Sequence, residues 1–315
     1  MVAAPPLENH MSLLKKSLLV LLTAAWLPAA HAELYVVVVQ GLGGMDEFDS
    51  RFTSQREKIT AASESMAAGN VTTFSGGEAT RDALLAHFDM LAADMSENDR
   101  VAIYLIGHGS YDGEQFKFNI PGPDITDADL AEIMGTLPGR NHFLVSTASA
   151  SGAMLDALET DSRILVTATR NGNEKNATEF GSYFAEALAS SVADINKNNS
   201  ISIQEAFDFA ERGVAGFFES QGKLATEHPQ IRGDGAASFN LARLQAVETS
   251  DEDPRISALL TRRAEIDTEI ESLQLRRNEF SNAEYIERLQ SLILESAQVG
   301  EQIDILREGN QADAD

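Results

Sequence analysis

Four short runs of apolar and β-branched residues constrain the fold of this chain most strongly. They occupy residues 34–40, 101–106, 142–147 and 163–167, and the first of them reads LYVVVVQ. Each run is continuously apolar, a pattern typical of strands that are covered on both faces. Segments with helical periodicity lie between the runs and favour parallel pairing, because parallel neighbours need a crossover element. The pattern predicts a three-layer α/β sandwich with a mainly parallel sheet.

The segments between the runs are expected to be helices, with one further short strand. The helices are predicted at 52–68, 79–95, 127–134, 178–190 and 203–219, and the strand at 71–74. Thr126 is the expected N-cap of the third helix, with Asp129 in the first turn. Together these elements assign residues 33–248 to one α/β domain.

A second region follows a charged linker at residues 249–254. Apolar side chains recur there at three- and four-residue spacing in two stretches, which are interrupted near residues 278–282. This spacing predicts a C-terminal α-helical hairpin or coiled coil over 255–308, followed by a disordered tail at 309–315. The hairpin is expected either to fold back on its own domain or to bind a protein partner or a second copy. The spacing does not separate these alternatives.

The N-terminal residues carry the pattern of a secretory signal. Lys15 and Lys16 precede an apolar run at 17–27, and small residues stand at Ala30 and Ala32. We expect translation to start at Met11, cleavage after Ala32 and export to a periplasmic or extracellular compartment. The apolar run is too short to span a bilayer, and no later stretch is long and apolar enough to do so.

Charge and cysteine content exclude several classes of function. The formal net charge of -25 argues against a nucleic-acid partner, because phosphate contacts need clustered Lys and Arg. The same charge argues against binding to anionic lipid surfaces. The chain has no cysteine, so it has no disulfide, no thiolate metal site and no thiol nucleophile.

Polar and glycine residues follow the predicted strands at the points where these strands end. His108 lies between two glycines after the second long run, and Ser149 follows the third run. Because the carboxyl ends of parallel strands meet at one edge of a sheet, we expect these side chains to converge there. The glycine turn at 41–44 lacks the G-x-G-x-x-G register, so no nucleotide is expected.

These strand ends resemble the caspase–legumain superfamily of cysteine peptidases, and legumain-like members most closely. In that superfamily one strand ends in His-Gly and the next in Ala-Cys-x-Ser-Gly; here the two motifs read GHG at 107–109 and ASASG at 148–152. The resemblance extends over about residues 33–244. It implies a caspase–hemoglobinase fold, with Ser149 at the position of the nucleophilic cysteine and Ala150 where legumain-like members have an acidic residue.

The resemblance also implies roles for individual residues. His108 and Ser149 would be the catalytic pair, with Gly109 and Ala150 as their backbone neighbours. Arg51 and Thr169 are candidates for substrate binding. Glu227 and His228 are adjacent in sequence, so their side chains are expected to point apart, and we interpret them as part of a structural loop.

Serine in place of cysteine makes the chemistry of this site the central question. An alcohol gives up its proton far less readily than a thiol, so Ser149 would need a base that a third group orients. Only Asp112 and Glu114 are acidic and near His108 in sequence. The main prediction is therefore an exported pseudopeptidase that acts as a binding, assembly or regulatory module. The alternatives are an active endopeptidase that uses Ser149 with His108, and a calcium-stabilised structural or binding module.

Residues 194–205 have the spacing of an EF-hand calcium loop. The oxygen ligands would be Asp194, Asn196, Asn198, Ser200 through its carbonyl, Ser202 and Glu205. Asn199 replaces the usual glycine at the sixth position, where asparagine tolerates the left-handed conformation. Only two ligands are charged, so the expected Kd for Ca²⁺ is weak, on the order of 10⁻⁴ to 10⁻³ M. The alternative is a metal-free turn whose side chains cap their own backbone.

Overall fold

The computed structural model describes residues 32–67, 69–244, 254–275 and 277–312. The predicted signal sequence, most of the predicted linker and the last three residues lie outside this part of the chain. In chain order the elements are β1 (Leu34–Gln40), α1 (Asp46–Ala67), β2 (Val71–Phe74), α2 (Arg81–Asp94), β3 (Arg100–Ile106), β4 (Gly109–Tyr111), β5 (Phe116–Phe118), β6 (Ile125–Thr126), α3 (Asp127–Thr136), β7 (His142–Ser146), α4 (Leu155–Leu158), β8 (Arg163–Thr167), α5 (Phe180–Ala187), β9 (Ser200–Ser202), α6 (Ile203–Ser220), β10 (Gln230–Arg232), β11 (Asn240–Arg243), α7 (Pro254–Leu275) and α8 (Asn282–Ala312).

The main sheet has six strands in the order β10-β8-β7-β3-β1-β2. The five strands from β8 to β2 are parallel, and β10 pairs antiparallel with β8 at one edge. Two small sheets accompany it, one formed by β4, β5 and β6 and the other by β9 and β11. The four apolar runs of the sequence are the four central strands, because only strands covered on both faces need continuous apolar residues.

Helices cover both faces of the main sheet and build two hydrophobic cores. In β1, Val36 and Val38 face the core that includes α1, α5 and α6, whereas Val37 and Val39 face α2, α3 and α4. This alternation follows from the two-residue period of a strand. The predicted three-layer α/β sandwich with a mainly parallel sheet is confirmed.

Helix ends follow local sequence signals. α3 begins with a capping box, in which the Thr126 hydroxyl accepts from the Asp129 N–H and the Asp129 carboxylate accepts from the Thr126 N–H. α1 begins at Asp46, six residues before the predicted start, because three acidic residues in its first turn suit the positive end of the helix dipole. None of the helices that the structure describes is long and apolar enough to cross a membrane.

The C-terminal helices α7 and α8 form the predicted hairpin. They share a separate apolar core, whose buried members are Ile256, Ile266, Val299 and Ile303. Arg262 of α7 contacts Glu295 of α8 at 2.7 Å, and the short connection at 276–281 makes the two helices antiparallel. α8 continues to Ala312, past the predicted boundary at residue 308, because one glycine weakens a helix without breaking its hydrogen-bond ladder.

Candidate active site

His108 lies at the carboxyl edge of the sheet, between β3 and β4. Its half-buried ring packs edge-on against two rings of α1, with ring centroids 4.7 Å from Phe48 and 5.1 Å from Phe52. Burial lowers the pKa of His108, and the charge of Arg51 lowers it further, whereas a hydrogen bond to the backbone of Gly43 raises it. The ring is therefore held on α1 and is mainly neutral at pH 7.

Ser149 follows β7 at the same edge, and its side chain is almost fully buried, with 4% exposed. Its Oγ donates to the Gly109 carbonyl at 3.0 Å and lies 3.4 Å from the Gly109 N–H. Gly109 is the residue after His108, so Ser149 contacts the backbone next to His108. The sheet thus places both predicted catalytic residues at the same edge. Within the described residues, no hydrogen bond joins the His108 ring to the Ser149 hydroxyl.

Residues 148–152, which we call the serine turn, have a backbone conformation that is stabilised by contacts with residues distant in sequence. Ala150 has a φ of 58°, a left-handed conformation that costs a residue with a Cβ about 1 kcal/mol or more. The Ala150 N–H donates to the Glu174 carbonyl at 2.8 Å. Gly152 packs against backbone that follows β8, where a Cβ would lie 2.3 Å from the Arg170 carbonyl carbon.

Thr169 belongs to the support of this turn. It is fully buried, and its Oγ1 accepts from the Gly152 N–H at 2.9 Å and lies 3.3 Å from the Ser151 hydroxyl. A side chain in this position holds the serine turn in place. This placement argues against the direct substrate contact that the sequence suggested for Thr169.

Arg51 lies on the α1 side of the site, next to His108. Its guanidinium sits over the Phe48 ring, 5.0 Å from the centroid, and contacts Glu179 at 3.1 Å. The Nε and Nη2 groups are buried and have no hydrogen-bond partner in the described part of the chain. These two nitrogens carry three N–H groups, and because unsatisfied buried donors are costly, a ligand oxygen that reaches them would form favourable hydrogen bonds.

Comparison with known proteins identifies the family. A model described as the Peptidase C13 family matches residues 68–232, which is 165 of the 315 residues (232 − 68 + 1) and more than half of the chain. The chain belongs to the peptidase C13 family. The resemblance to caspase- and legumain-like peptidases is thereby confirmed. No curated protein sequence matches the chain.

Three solved structures are similar to this C13-family chain. Caspase-1 from Spodoptera frugiperda has 11% identity and a TM-score of 0.41, over 69% of this chain and 92% of its own. A secreted C11 cysteine protease from Bacteroides thetaiotaomicron has 10% identity and a TM-score of 0.32, over 59% of each chain. The Drosophila initiator caspase Dronc has 9% identity and a TM-score of 0.34, over 67% of this chain and 81% of its own.

Glu227 is a buried carboxylate that lies beside the Arg51–Glu179 pair. The sequence analysis interprets Glu227 as part of a structural loop. It accepts from the N–H groups of Glu179 and Phe180, at 2.8 and 3.2 Å, and so caps the start of α5. Burial raises the pKa of Glu227 to about 7, although these hydrogen bonds and the charge of Arg51 act to lower it. No local sequence pattern indicates this role, because the partners lie 47 and 48 residues away.

The sequence analysis also missed the acidic residues that lie near the His108 and Ser149 motifs. Asp49, in the first turn of α1, accepts from the Gly43 N–H at 2.9 Å and acts to raise the pKa of His108. Asp112, considered earlier as a partner of His108, instead accepts from Lys117 at 2.8 Å. Glu174 contacts His228 Nδ1 at 2.6 Å. Among the histidines that the structure describes, His228 is thus the one whose ring contacts a carboxylate.

The 194–205 loop has much of the geometry that its spacing predicts. The left-handed conformation expected for Asn199 is confirmed by a φ of 59°. The Asp194 carboxylate accepts from the Asn198 and Asn199 N–H groups. The Glu205 carboxylate accepts from the N–H groups of residues 195, 196 and 202.

The two carboxylates of the loop, Asp194 and Glu205, therefore already accept hydrogen bonds from the backbone of the same loop. The side chains of Asn196 and Asn198 accept from N–H groups two residues further on. Among the residues that the structure describes, no group of three or more His, Asp or Glu side chains could hold a metal. The predicted ligand set has only two carboxylates and four neutral oxygens, so calcium binding by this loop stays a prediction.

Proposed function

We propose that this chain is a peptide-binding member of the peptidase C13 family that does not cleave its ligand. The observation that carries the proposal is the hydrogen bond from Ser149 Oγ to the Gly109 carbonyl. A hydroxyl that donates to a carbonyl is not donating to a base. Since an alcohol needs a base in hydrogen-bond contact to become a nucleophile, this arrangement does not activate Ser149.

The position of His108 supports the same proposal. Its ring is packed on Phe48 and Phe52 and bonded to the backbone of Gly43. If Ser149 occupies the place of a cysteine, as the resemblance implies, the histidine would serve a thiolate that formed without its help. A serine at the same place depends on the histidine for proton removal, and loss of a nucleophile's activation costs several orders of magnitude in rate.

Arg51 and Glu179 indicate the class of ligand. The three unpaired N–H groups on Nε and Nη2 of Arg51 can donate to an oxygen that reaches them, and the Glu179 carboxylate can accept from an N–H. A side-chain carboxamide offers both an oxygen and an NH₂ group, whereas a carboxylate would be repelled by Glu179. A peptide with an asparagine or glutamine side chain is therefore the ligand that this pair fits best.

The alternative is an active endopeptidase, favoured by the placement of His108 and Ser149 on either side of Gly109. A rotation of the Ser149 side chain would be enough to change its hydrogen-bond partner, and catalytic bonds are often long in unliganded enzymes. The experiment below separates the two functions.

Peptide cleavage is measured for the wild type, Ser149→Ala and Ser149→Cys with a library of peptides that contain asparagine, aspartate or alanine at one position. We expect no cleavage by the wild type or by Ser149→Ala, and a gain of cleavage or of thiol alkylation in Ser149→Cys. Cleavage by the wild type that Ser149→Ala abolishes would establish the endopeptidase instead.

Peptide binding is measured separately by calorimetry. Binding of the asparagine peptide should be lost in Arg51→Met, which retains much of the packing on Phe48 but has no N–H donors. Ser149→Ala should leave binding unchanged within about twofold, because the hydroxyl already has a partner in the protein. Binding that is equal in the wild type and Arg51→Met would contradict the assigned ligand.

We also propose that the protein acts outside the cytoplasm, as a binding, assembly or regulatory module. Support comes from the signal pattern before residue 33. N-terminal sequencing of the protein recovered from the periplasm or medium should begin at Glu33. Recovery only from the cytoplasm with an intact N-terminus would contradict export.

A further inference from the structure

Glu33 is the residue that would begin the chain after removal of the predicted signal, and its polar groups are bonded to the domain. Its N–H donates to Oδ1 of Asp99 at 2.8 Å, and its carbonyl accepts from the Arg100 N–H at 2.8 Å. Its carboxylate accepts from the Tyr35 hydroxyl at 3.1 Å and from the Asn70 side chain at 3.0 Å. Chain termini are usually poorly ordered unless such bonds hold them. The expected first residue of the mature chain is therefore part of the fold.

Asp99, which accepts from the Glu33 N–H, lies in the turn between α2 and β3 and is buried, with 5% exposed. Its second oxygen, Oδ2, accepts from the Ser96 N–H at 2.7 Å. Both of these hydrogen-bond partners are neutral backbone groups. A buried carboxylate is costly unless hydrogen bonds or a positive charge compensate it. A cation at the position of the Glu33 nitrogen would therefore stabilise Asp99 more than the amide does.

Cleavage after Ala32 would place a positive charge at this nitrogen. Hydrolysis of the Ala32–Glu33 peptide bond by a signal peptidase consumes one water, leaves a carboxylate on Ala32 and converts the Glu33 amide into an α-amine. The ordinary pKa of such an amine is about 8, so it is mainly protonated at neutral pH. The hydrogen bond to Asp99 then becomes charge-assisted, and such bonds are about twice as strong as neutral ones.

The surroundings of the Glu33 nitrogen also favour a positive charge. Burial raises the pKa of the Tyr35 hydroxyl, and the carboxylates of Glu33, Asp99 and Asp94 raise it further. These carboxylates come from three separate segments, the residue before β1, the end of α2 and the turn before β3. They create a negative potential that attracts an ammonium group, whereas an amide N–H has no net charge.

We propose that the α-ammonium group of mature Glu33 forms an ion pair with Asp99, so that removal of the signal stabilises the folded domain. This inference rests on the proposed export and on cleavage after Ala32. Before cleavage the nitrogen that faces Asp99 is neutral, and after cleavage it is a cation. The precursor and the mature chain would thus share one fold, and the mature chain would be the more stable of the two.

Urea denaturation of chains with two defined N-termini, each released from a removable tag, measures the effect of the ion pair. One chain begins at Glu33. The other begins at Ala32, so that its amine lies one residue further along and the Glu33 nitrogen is a neutral amide, as in the precursor. The equilibrium constant for folding should be about fivefold or more higher for the chain that begins at Glu33.

Asp99→Asn keeps the size of the side chain and removes its charge. The ratio of the two folding constants should fall to about one in this variant, whatever the substitution costs in overall stability, because that cost is common to both chains. Asp89→Asn, which removes an exposed carboxylate of α2, should retain the fivefold ratio. A ratio of one in the wild type, or a ratio that Asp99→Asn leaves unchanged, would overturn the proposal.

Labelling of the terminal amine tests the ion pair without a variant at Asp99. Amine-reactive reagents attack the neutral amine, so an ion pair that retains the proton slows the reaction. At about pH 7.5 the chain that begins at Glu33 should be labelled at its terminus at least about fivefold more slowly than the chain that begins at Ala32, and unfolding in urea should abolish the difference.

Equal labelling of the two folded chains would also overturn the ion pair. Export fails by a different observation, because both chains are made with their termini already defined. N-terminal sequencing of the protein from cells tests the cleavage site, and a terminus other than Glu33 there would contradict export and processing, whatever the two defined chains show.

Discussion

The serine turn and the 194–205 loop both hold an irregular backbone with hydrogen bonds, but the bonding partners come from different distances along the chain. In both segments side-chain or carbonyl oxygens satisfy backbone N–H groups, and in both a residue with a Cβ adopts a positive φ. The serine turn takes its partners from residues 17 to 40 positions away. The side chains of the loop bond mostly within five positions, with Glu205 reaching ten, whereas the backbone of its second half pairs with β11.

This difference in bonding distance shows that a short sequence pattern can predict a site built from neighbouring residues. The side-chain bonds of the loop come from its own alternating Asp, Asn and Ser residues, and only the backbone of its second half bonds to distant residues. The serine turn exists only where three strand ends meet. Its conformation should therefore respond strongly to changes in packing, and the loop should respond mainly to loss of its own carboxylates.

The largest effect is expected from Gly152→Ala. The new Cβ would lie 2.3 to 2.4 Å from backbone atoms of residues 169–171, and neither backbone can move without disturbing the sheet. We expect a loss of about 3 kcal/mol or more in the free energy of unfolding, measured by urea denaturation. Gly216→Ala in α6, where nothing lies within 4 Å, should be neutral or stabilising. Equal effects would refute the tight packing of the serine turn.

Glu227 extends the comparison to pH, because it too is a buried group with distant partners. Its pKa is about 7 in the folded chain against 4.5 ordinarily, so the folded state binds more protons between these values. The resulting stabilisation is complete below pH 4.5 and is lost as the pH rises through 7. Glu227→Gln does not titrate there. Its unfolding free energy relative to wild type should rise by up to about 3 kcal/mol between about pH 4.5 and 8.

Exposed Glu219→Gln should show no such pH-dependent difference. A difference between Glu227→Gln and the wild type that stays constant across this range would mean that the Glu227 carboxylate is ionised in the folded chain despite its burial.

A smaller effect is expected from Glu205→Ala. This change removes the acceptor for three backbone N–H groups and for the Ser202 hydroxyl, including half of the capping box of α6. We expect a loss of about 2 kcal/mol in the free energy of unfolding. The exposed Glu211 on the same helix provides the control, since Glu211→Ala should change stability by less than about 0.5 kcal/mol.

Calcium should give the smallest effect. With the predicted Kd near 1 mM, about 3 mM Ca²⁺ would stabilise the folded chain by about 0.8 kcal/mol and raise the Tm by about 2 °C. The increase should be absent in Glu205→Gln and absent with Mg²⁺. An unchanged Tm in the wild type would leave the loop as a metal-free turn.

Most of the fold could be predicted from the sequence, because the information is local. Continuous apolar runs specify the buried parallel strands, and three- to four-residue spacing specifies the hairpin helices. The convergence of His108 and Ser149 at one sheet edge was also predictable, since it follows from parallel pairing alone. The start of α1 at Asp46 was missed, because three acidic residues dominate its first turn and Phe48 is the one apolar residue there.

The contacts within the site could not be predicted. Glu179 reaches Arg51 from 128 positions away, and Glu174 reaches His228 from 54. The direction of the Ser149 hydroxyl depends on where the Gly109 carbonyl lies, which no local pattern encodes. Thr169 is a substrate-binding candidate through the family resemblance alone, and its full burial under the serine turn could not be predicted from the sequence.

The small sheet of β9 and β11 also affects how the domain can be completed during synthesis. Leu241 and Ala242 of β11 belong to the same core as Phe52 and Ile59 of α1, and the Arg243 N–H bonds to Ser65, 178 positions earlier. α1 therefore completes its packing only when β11, the last strand of the domain, is present. The part of α1 that β11 covers is therefore exposed until residue 243 has been synthesised, and a truncation before that point removes this part of its cover.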